Sequence, residues 1–171
     1  MRIARVRALV FVCALALIAA VATAWAVRSD SQQDYTAERC GDNDIPIDMT
    51  IPETEDIDLI VLNGTDRSGL ADQAALQLEE RGFNVVEVGD SEETMESTAT
   101  VYSGPASFGE GLHSWAYFHA GRSEFSLDYE NDAVTIILGS DFQQVKTESD
   151  ARLTFSQRDQ ITPPDGTCAD D

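Results

Sequence analysis

The middle of this chain alternates apolar and polar residues in a strand–helix–strand order. An apolar run at residues 58–62 predicts a strand, and residues 69–81 predict an amphipathic helix. The apolar positions of that helix fall on one face: Leu70, Ala74, Ala75 and Leu78. Ser68 is the predicted N-cap, Gly82 is the predicted left-handed cap at the other end, and residues 85–88 predict the next strand.

The pattern that follows predicts further strands and a second helix. Residues 98–102 alternate as a strand does, and residues 105–120 predict a helix that starts at a proline. One face of this helix carries Phe108, Leu112, Trp115, Ala116 and His119. A short strand is expected around Phe125 and Leu127, and residues 133–138, rich in Val, Ile and Thr, predict the last strand.

The element order β-α-β-β-α-β predicts the α/β fold class, in the form of an α+β two-layer sandwich. Two helices would cover one face of a single sheet, with one core inside residues 57–142. A ferredoxin-like topology is the simplest way to arrange these elements in one sheet. The hydrophobic pattern does not determine the order of the strands.

The segments on either side of this domain are polar, and we expect them to be irregular. Residues 28–56 form an acidic linker that is interrupted by Pro46 and Pro52. Residues 143–171 form a polar C-terminal tail that contains Cys168.

The beginning of the chain predicts its topology. A basic tail, residues 1–7, precedes an uncharged stretch of 20 residues, 8–27. At ~1.5 Å per residue such a helix spans a bilayer core of ~30 Å. The basic flank favours a cytoplasmic N-terminus and a single-pass anchor in the cell membrane. The competing interpretation is a cleaved signal peptide, since residues 22–24 and 24–26 resemble cleavage sites. Under either interpretation the folded domain is extracytoplasmic.

The cysteines agree with export. Cys13 lies within the apolar stretch, which leaves Cys40 and Cys168 on the two flanks of the domain. In an oxidising compartment these two predict a disulfide that encloses 127 intervening residues. The alternative is two free or intermolecularly paired thiols.

Charge restricts the classes of partner. All 31 acidic residues follow position 29 but only seven basic residues do, so the exported part carries 24 net negative charges. Such a surface repels nucleic acid and anionic lipid headgroups, because binding to either requires clustered Lys and Arg. Solvation, a saline habitat and a cationic partner remain alternative reasons for the acidity.

Four ordered blocks resemble the LytR C-terminal domain family. They are V-x-N-G-T at residues 61–65, S-G-L-A at 68–71, R-G-F-x-V at 81–85 and L-G-x-D-F at 138–142. The resemblance covers residues 58–142. The chain looks like the stand-alone, membrane-anchored actinobacterial type of this family, which is found in envelope-integrity proteins. It implies a role in the cell envelope and supplies no catalytic residues to carry over.

The best candidate for a ligand or partner site is the turn between the first strand and the first helix. Its residues are Asn63, Gly64, Thr65, Arg67, Ser68 and Gly69. The free amides at the start of the helix favour an anion, and Arg67 would add a positive charge. The turn lacks the Lys and the Ser or Thr of a phosphate-binding loop, so the competing interpretation is purely architectural.

Other candidate chemistry is sparse. Tyr117 is expected to be exposed opposite Phe108, where it would contact a sugar or a protein. His113 and His119 lie six residues apart and point in different directions on a helix, so we predict no metal site and no cofactor. The basic residues are scattered, which argues against phosphotransfer.

These observations predict a non-catalytic envelope protein that supports envelope integrity or wall-polymer assembly. By resemblance, its partners would be enzymes of the LytR–CpsA–Psr type, onto which the exported domain docks. The alternative is a module that binds glycan or a lipid-linked precursor and senses the cell wall. The oligomeric state stays open.

Overall fold

A computed structural model describes residues 40–41, 43–158 and 161–169. The strands are β1 (Ile45–Ile47), β2 (Asp58–Asn63), β3 (Asn84–Asp90), β4 (Ala99–Ser103), β5 (Arg122–Phe125), β6 (Val134–Leu138) and β7 (Thr167–Ala169). The helices are α1 (Leu70–Glu79), α2 (Phe108–Trp115) and α3 (Glu148–Ser156), with a 3-10 turn at Thr54–Asp56.

Five strands form one mixed sheet in the order β3-β2-β6-β4-β5. Strand β2 pairs in parallel with both β3 and β6, β4 pairs antiparallel with β6, and β5 pairs parallel with β4. Helix α1 joins β2 to the neighbouring parallel strand β3, which is the βαβ unit that the hydrophobic pattern indicated.

The predicted two-layer α/β class is confirmed, but the ferredoxin-like closure is wrong. That closure would separate the first two strands of the domain and make neighbouring strands antiparallel. Here α1 is a short crossover that returns the chain to the edge of β2, so β2 and β3 are adjacent and parallel.

The main core lies between the sheet and the helices. Alternate residues of β2, such as Leu59 and Val61, face α1, whose buried positions include all four apolar residues of the predicted face. Val101 and Ile136 lie in register on the same side of the sheet and are fully buried. One face of the sheet is therefore packed, as the alternation predicted.

The flanks were expected to be irregular, and that expectation is wrong within the described residues. Strand β1 comes from the predicted linker, α3 and β7 come from the predicted tail, and β1 pairs with β7 in a second, parallel sheet. Ile47 from the linker and Ile161 from the tail pack with Phe108 and Leu112 in a second apolar cluster. Ile47 is buried and Ile161 is partly buried, because both flanks pack against α2.

One predicted end of α1 is corrected and the other is confirmed. The N-cap of α1 is Gly69, at φ 73°, and no side chain caps the helix. Gly82, at φ 92°, has the predicted left-handed conformation, and the Phe83 N–H donates to the Leu78 carbonyl at 3.2 Å.

Helix α2 ends at Trp115 instead of continuing to residue 120. Ala116, Tyr117 and Phe118 are all buried. Three consecutive side chains cannot face one side of a helix at ~100° per residue, so the helix ends and the chain turns. His119 consequently lies at the surface and does not join the predicted face.

The predicted disulfide joins Cys40 to Cys168, with a Cα–Cα distance of 5.3 Å. No helix among the described residues is long and apolar enough to cross a bilayer. The predicted anchor, residues 8–27, lies outside those residues.

Candidate functional site

The turn after β2 is organised around the side chain of Asn63. Its Oδ1 accepts from the Thr65 N–H at 3.2 Å and from the Thr65 hydroxyl at 2.8 Å. Its Nδ2 donates to the Arg67 carbonyl at 3.1 Å and to Asp90 Oδ1 at 3.3 Å. A carboxamide has two acceptor sites and two donors, so Asn63 has no hydrogen-bonding capacity left for a ligand.

The two glycines of the turn have different structural roles. A Cβ on Gly64 would lie 2.9 Å from Ile137 Cγ2 and 2.9 Å from the Leu138 carbonyl oxygen, so the turn packs against the end of β6. Gly69 has open space around it and is needed for its positive φ at the start of α1.

Arg67 does not serve as an anion ligand in this arrangement. Its Nη1 donates to the Phe142 carbonyl at 2.8 Å, which ties the turn to the segment after β6. Arg67 lies between the first two family blocks, and its side chain therefore links this turn to Phe142, the final residue of the last block. The architectural interpretation of the turn accounts for Asn63, Gly64, Thr65 and Arg67 together.

A cleft of about 510 Å³ opens beside this turn, at the carboxyl ends of β2 and β3. Four of the six predicted turn residues line it: Asn63, Thr65, Ser68 and Gly69. Gly64 and Arg67 do not. The other lining residues are Asp66, Ala71, Asp72, Val88, Gly89, Asp90 and Ser91.

The electrostatics of the cleft oppose the anion that the sequence suggested. Asp66, Asp72 and Asp90 place three carboxylates around it, and no Lys or Arg is among its lining residues. The amides at the start of a helix are equivalent to only about half a positive charge. The cleft is therefore suited to a cationic group.

Val88, Asp72 and Asp90 were missed at the sequence level. The signal was present, because a βαβ unit brings the carboxyl ends of two parallel strands to one edge. Asp90 lies two residues after the predicted strand 85–88 and would then lie beside Asn63. Without the strand order that placement could not be made.

Tyr117, the predicted exposed aromatic, is 1% exposed. Its ring meets Phe83 edge-on at 4.9 Å between centroids, so it offers no face for stacking on a sugar. Tyr117 contributes to the floor of a second groove, of about 310 Å³, between residues 51–54 and α3. Burial raises the pKa of its hydroxyl, and the charge of Glu148 adds to that effect.

The most perturbed carboxyl of the described residues, Glu110, lines neither the cleft nor the groove. Burial raises its pKa to about 6, assisted by the negative charges of Asp58, Asp48 and Asp132. Perturbed groups often mark catalytic sites. The charged neighbours that raise the pKa of Glu110 are all acidic. The shift is therefore explained by burial and by the high density of negative charge on this surface, without a catalytic role.

No group of three or more His, Cys, Asp or Glu residues that is suited to a metal ion occurs in the described ranges. The acidic loop at residues 91–97 is exposed or half-buried throughout.

Residues 56–142 match the family LytR_C, described as LytR cell envelope-related transcriptional attenuator. Among solved structures, the soluble domain of a conserved hypothetical secreted protein from Mycobacterium marinum is 20% identical to this chain. That comparison covers 66% of this chain and 76% of that one, with a TM-score of 0.47. No curated protein matches the chain.

Proposed function

The chain belongs to the LytR C-terminal domain family, and from that premise we propose that it is a non-catalytic interaction domain of the cell envelope. The domain lies outside the membrane, anchored by residues 8–27. It docks onto enzymes of the LytR–CpsA–Psr type and so supports wall-polymer assembly.

The observation that carries this proposal is the β3 edge of the main sheet. Strands β3 and β5 lie at the two ends of the strand order, and β2 is the only neighbour of β3 among the described strands. Val86 is 51% exposed and Val88 is 41% exposed on this edge. Edge strands with exposed aliphatic side chains pair readily with another chain, which suits a docking function.

The polar groups of the family turn support a structural role over a catalytic one. Asn63 is fully hydrogen-bonded inside the turn, and Arg67 is bonded to a backbone carbonyl. A catalytic group needs polar atoms that can reach a substrate. The motif that identifies the family thus stabilises the fold on which a binding surface stands.

The glycan-binding alternative loses its main sequence argument, because Tyr117 is buried. A sedimentation experiment tests this alternative directly. Purified full-length chain is sedimented with isolated cell walls, and pelleting above that of a control protein would favour the glycan alternative over protein docking.

Photo-crosslinking in the native host tests the proposal. A crosslinking amino acid replaces Val86 on β3 in the full chain, and a matched variant carries it at Leu153, an exposed aliphatic position on α3. We expect capture of a LytR–CpsA–Psr enzyme from position 86 and not from position 153. The full-length product should sediment with membranes.

Two results would count against this function. Absence of any envelope enzyme from positions 86, 153 and a third exposed site, Leu127, would remove the docking proposal. A product shortened at residues 22–26 and recovered from the medium would replace the anchor by a signal peptide.

A further inference from the structure

The proposed function leaves the chemistry of the partner unspecified, and the β3 edge restricts it. Resting on that function, we infer that β3 receives an extended, basic segment of the partner protein by strand addition. One Lys or Arg side chain of that segment enters the carboxylate-lined cleft at the end of the strand.

Within the described part of the chain, the outer side of β3 has backbone groups without a hydrogen-bond partner where the segment would pair. The Ser91 N–H donates to the Asn63 carbonyl at 2.9 Å, so the backbone of Ser91 faces β2. Backbone groups alternate in direction along a strand, so those of Gly89 and Glu87 face β2 as well. The backbone groups of Val88 and Asp90 consequently point away from the sheet and are open to a new strand.

The first part of β3 is less suited to pairing. The register with β2 shifts between Leu59 and Ile60, which leaves Val86 as an extra residue opposite that step. Such a bulge at a sheet edge disrupts regular pairing. The incoming segment is therefore expected to pair with residues 87–90, next to the cleft, and not with the whole strand.

Charge selects a basic occupant. Glu87 and Asp90 lie on the strand itself, and Asp66, Asp72 and Asp90 surround the cleft. The cleft also touches Val88 and Gly89, so one extended segment can contact the free edge and the carboxylates at once. The chain as a whole carries a net charge of −20, which attracts a basic partner at long range.

The same charges disfavour the other occupant of an open strand, which is a second copy of this chain. Pairing of two β3 edges would bring Glu87 and Asp90 of both copies together. Like charges placed opposite one another across a strand pair are destabilising. The edge is therefore protected from self-association while it stays open to a basic strand.

A synthetic peptide tests the inference without knowledge of the natural partner. Binding of a fluorescent Thr-Lys-Val-Lys-Val-Lys-Thr peptide to the full-length chain is measured by anisotropy. The control is the same peptide with Glu in place of Lys. We expect saturable binding of the basic peptide only, weakened about tenfold or more between about 50 and 200 mM salt.

Two kinds of variant locate the binding. Val88→Pro removes the outward N–H of the edge, whereas Val88→Thr retains it, so only the first should weaken binding, by about tenfold. Asp66→Asn combined with Asp72→Asn should weaken it by a similar factor. The matched control Glu79→Gln, at the far end of α1, should leave it unchanged.

The outcomes separate this inference from the proposed function. Equal binding of the Lys and Glu peptides, or no effect of both the proline variant and the double Asn variant, overturns the inference. If position 86 still captures an envelope enzyme in that case, the docking function stands and only the strand-addition chemistry falls. Because Asp66 and Asp72 are exposed, the double variant remains informative even if Val88→Pro does not fold.

Discussion

Asn63 combines three properties that decide how the family motif is interpreted. It is 6% exposed, it makes four side-chain hydrogen bonds, and it ends the interior strand β2. A residue of this kind looks like a candidate ligand in the sequence, because amides are common in binding turns. In the folded chain its polarity is used to shape the backbone.

Replacing Asn63 by Asp should destabilise the fold although the side chain has the same shape. The change removes both donors and places a carboxylate against Asp90 Oδ1 and the Arg67 carbonyl. We expect a loss of about 3 kcal/mol in the free energy of unfolding, measured by urea denaturation.

The matched control is Asn131→Asp. Asn131 is exposed and its Oδ1 only accepts, from the Ala133 N–H at 3.1 Å, so the carboxylate keeps that bond. Its effect should stay within about 0.5 kcal/mol. Equal effects at both positions would contradict the internal role of Asn63. Acidification should reduce the loss at position 63, since protonation returns a donor.

At the scale of elements, α1 fastens the segment that leads into α3. Arg81 follows the helix and donates to the backbone carbonyls of Gln77, Val145 and Lys146. The Gln77 side chain in turn accepts from the Val145 N–H at 2.9 Å. The sequence predicts this segment to be part of an irregular tail. In the structure it is held in place by Arg81, the first residue of the R-G-F block.

Arg81→Lys should loosen this connection while it keeps the charge. A lysine ammonium cannot present the planar fork that reaches several carbonyls, so at least one of them loses its donor. We expect about 2 kcal/mol of destabilisation. Hydrogen exchange should also be faster at residues 145–156.

Arg152→Lys is the control for that variant. Arg152 lies on α3, and its one ion-pair partner among the described residues is Glu148 at the surface. Its replacement should therefore cost less than about 0.5 kcal/mol. Unchanged exchange at residues 145–156 in Arg81→Lys would contradict the fastening role.

At the scale of the whole molecule, the two flanks are held together and against the domain. Of the two disulfide cysteines, Cys40 precedes β1 and Cys168 lies within β7. The parallel pairing of β1 with β7 also connects residues 45–47 to residues 167–169. Chain-entropy arithmetic for a loop this long gives about 4–5 kcal/mol of stabilisation. The second apolar cluster packs both flanks against α2, so we expect the flanks to unfold together with the domain.

Removal of the disulfide should therefore destabilise the whole domain and not only the two end segments. The Cys40→Ser, Cys168→Ser double variant is expected to lose about 3 kcal/mol in the free energy of unfolding. Wild-type chain without reductant should give one Cys40–Cys168 peptide pair by mass spectrometry. Two alkylatable thiols in that sample, or an unchanged stability of the double variant, would contradict the prediction.

Several features followed from local sequence alone. The apolar period identified the β2–α1–β3 unit, the second helix and β6, because each buries one side on a regular spacing. Gly82 marked the end of α1, since a left-handed residue there favours glycine. The four motif blocks indicated the family, and the cysteines indicated the disulfide.

The features that were missed depend on contacts between residues far apart in the chain. Three such features are the strand order, the burial of Tyr117 and the packing of the flanks on α2. The local spacing of apolar residues carries no information about any of them. The same holds for the proposed function. Sequence indicated an envelope-related family, whereas only the tertiary structure left β3 at an edge of the sheet and brought three carboxylates to its end. The physical reason is that the packing of the whole sheet decides which strands are neighbours.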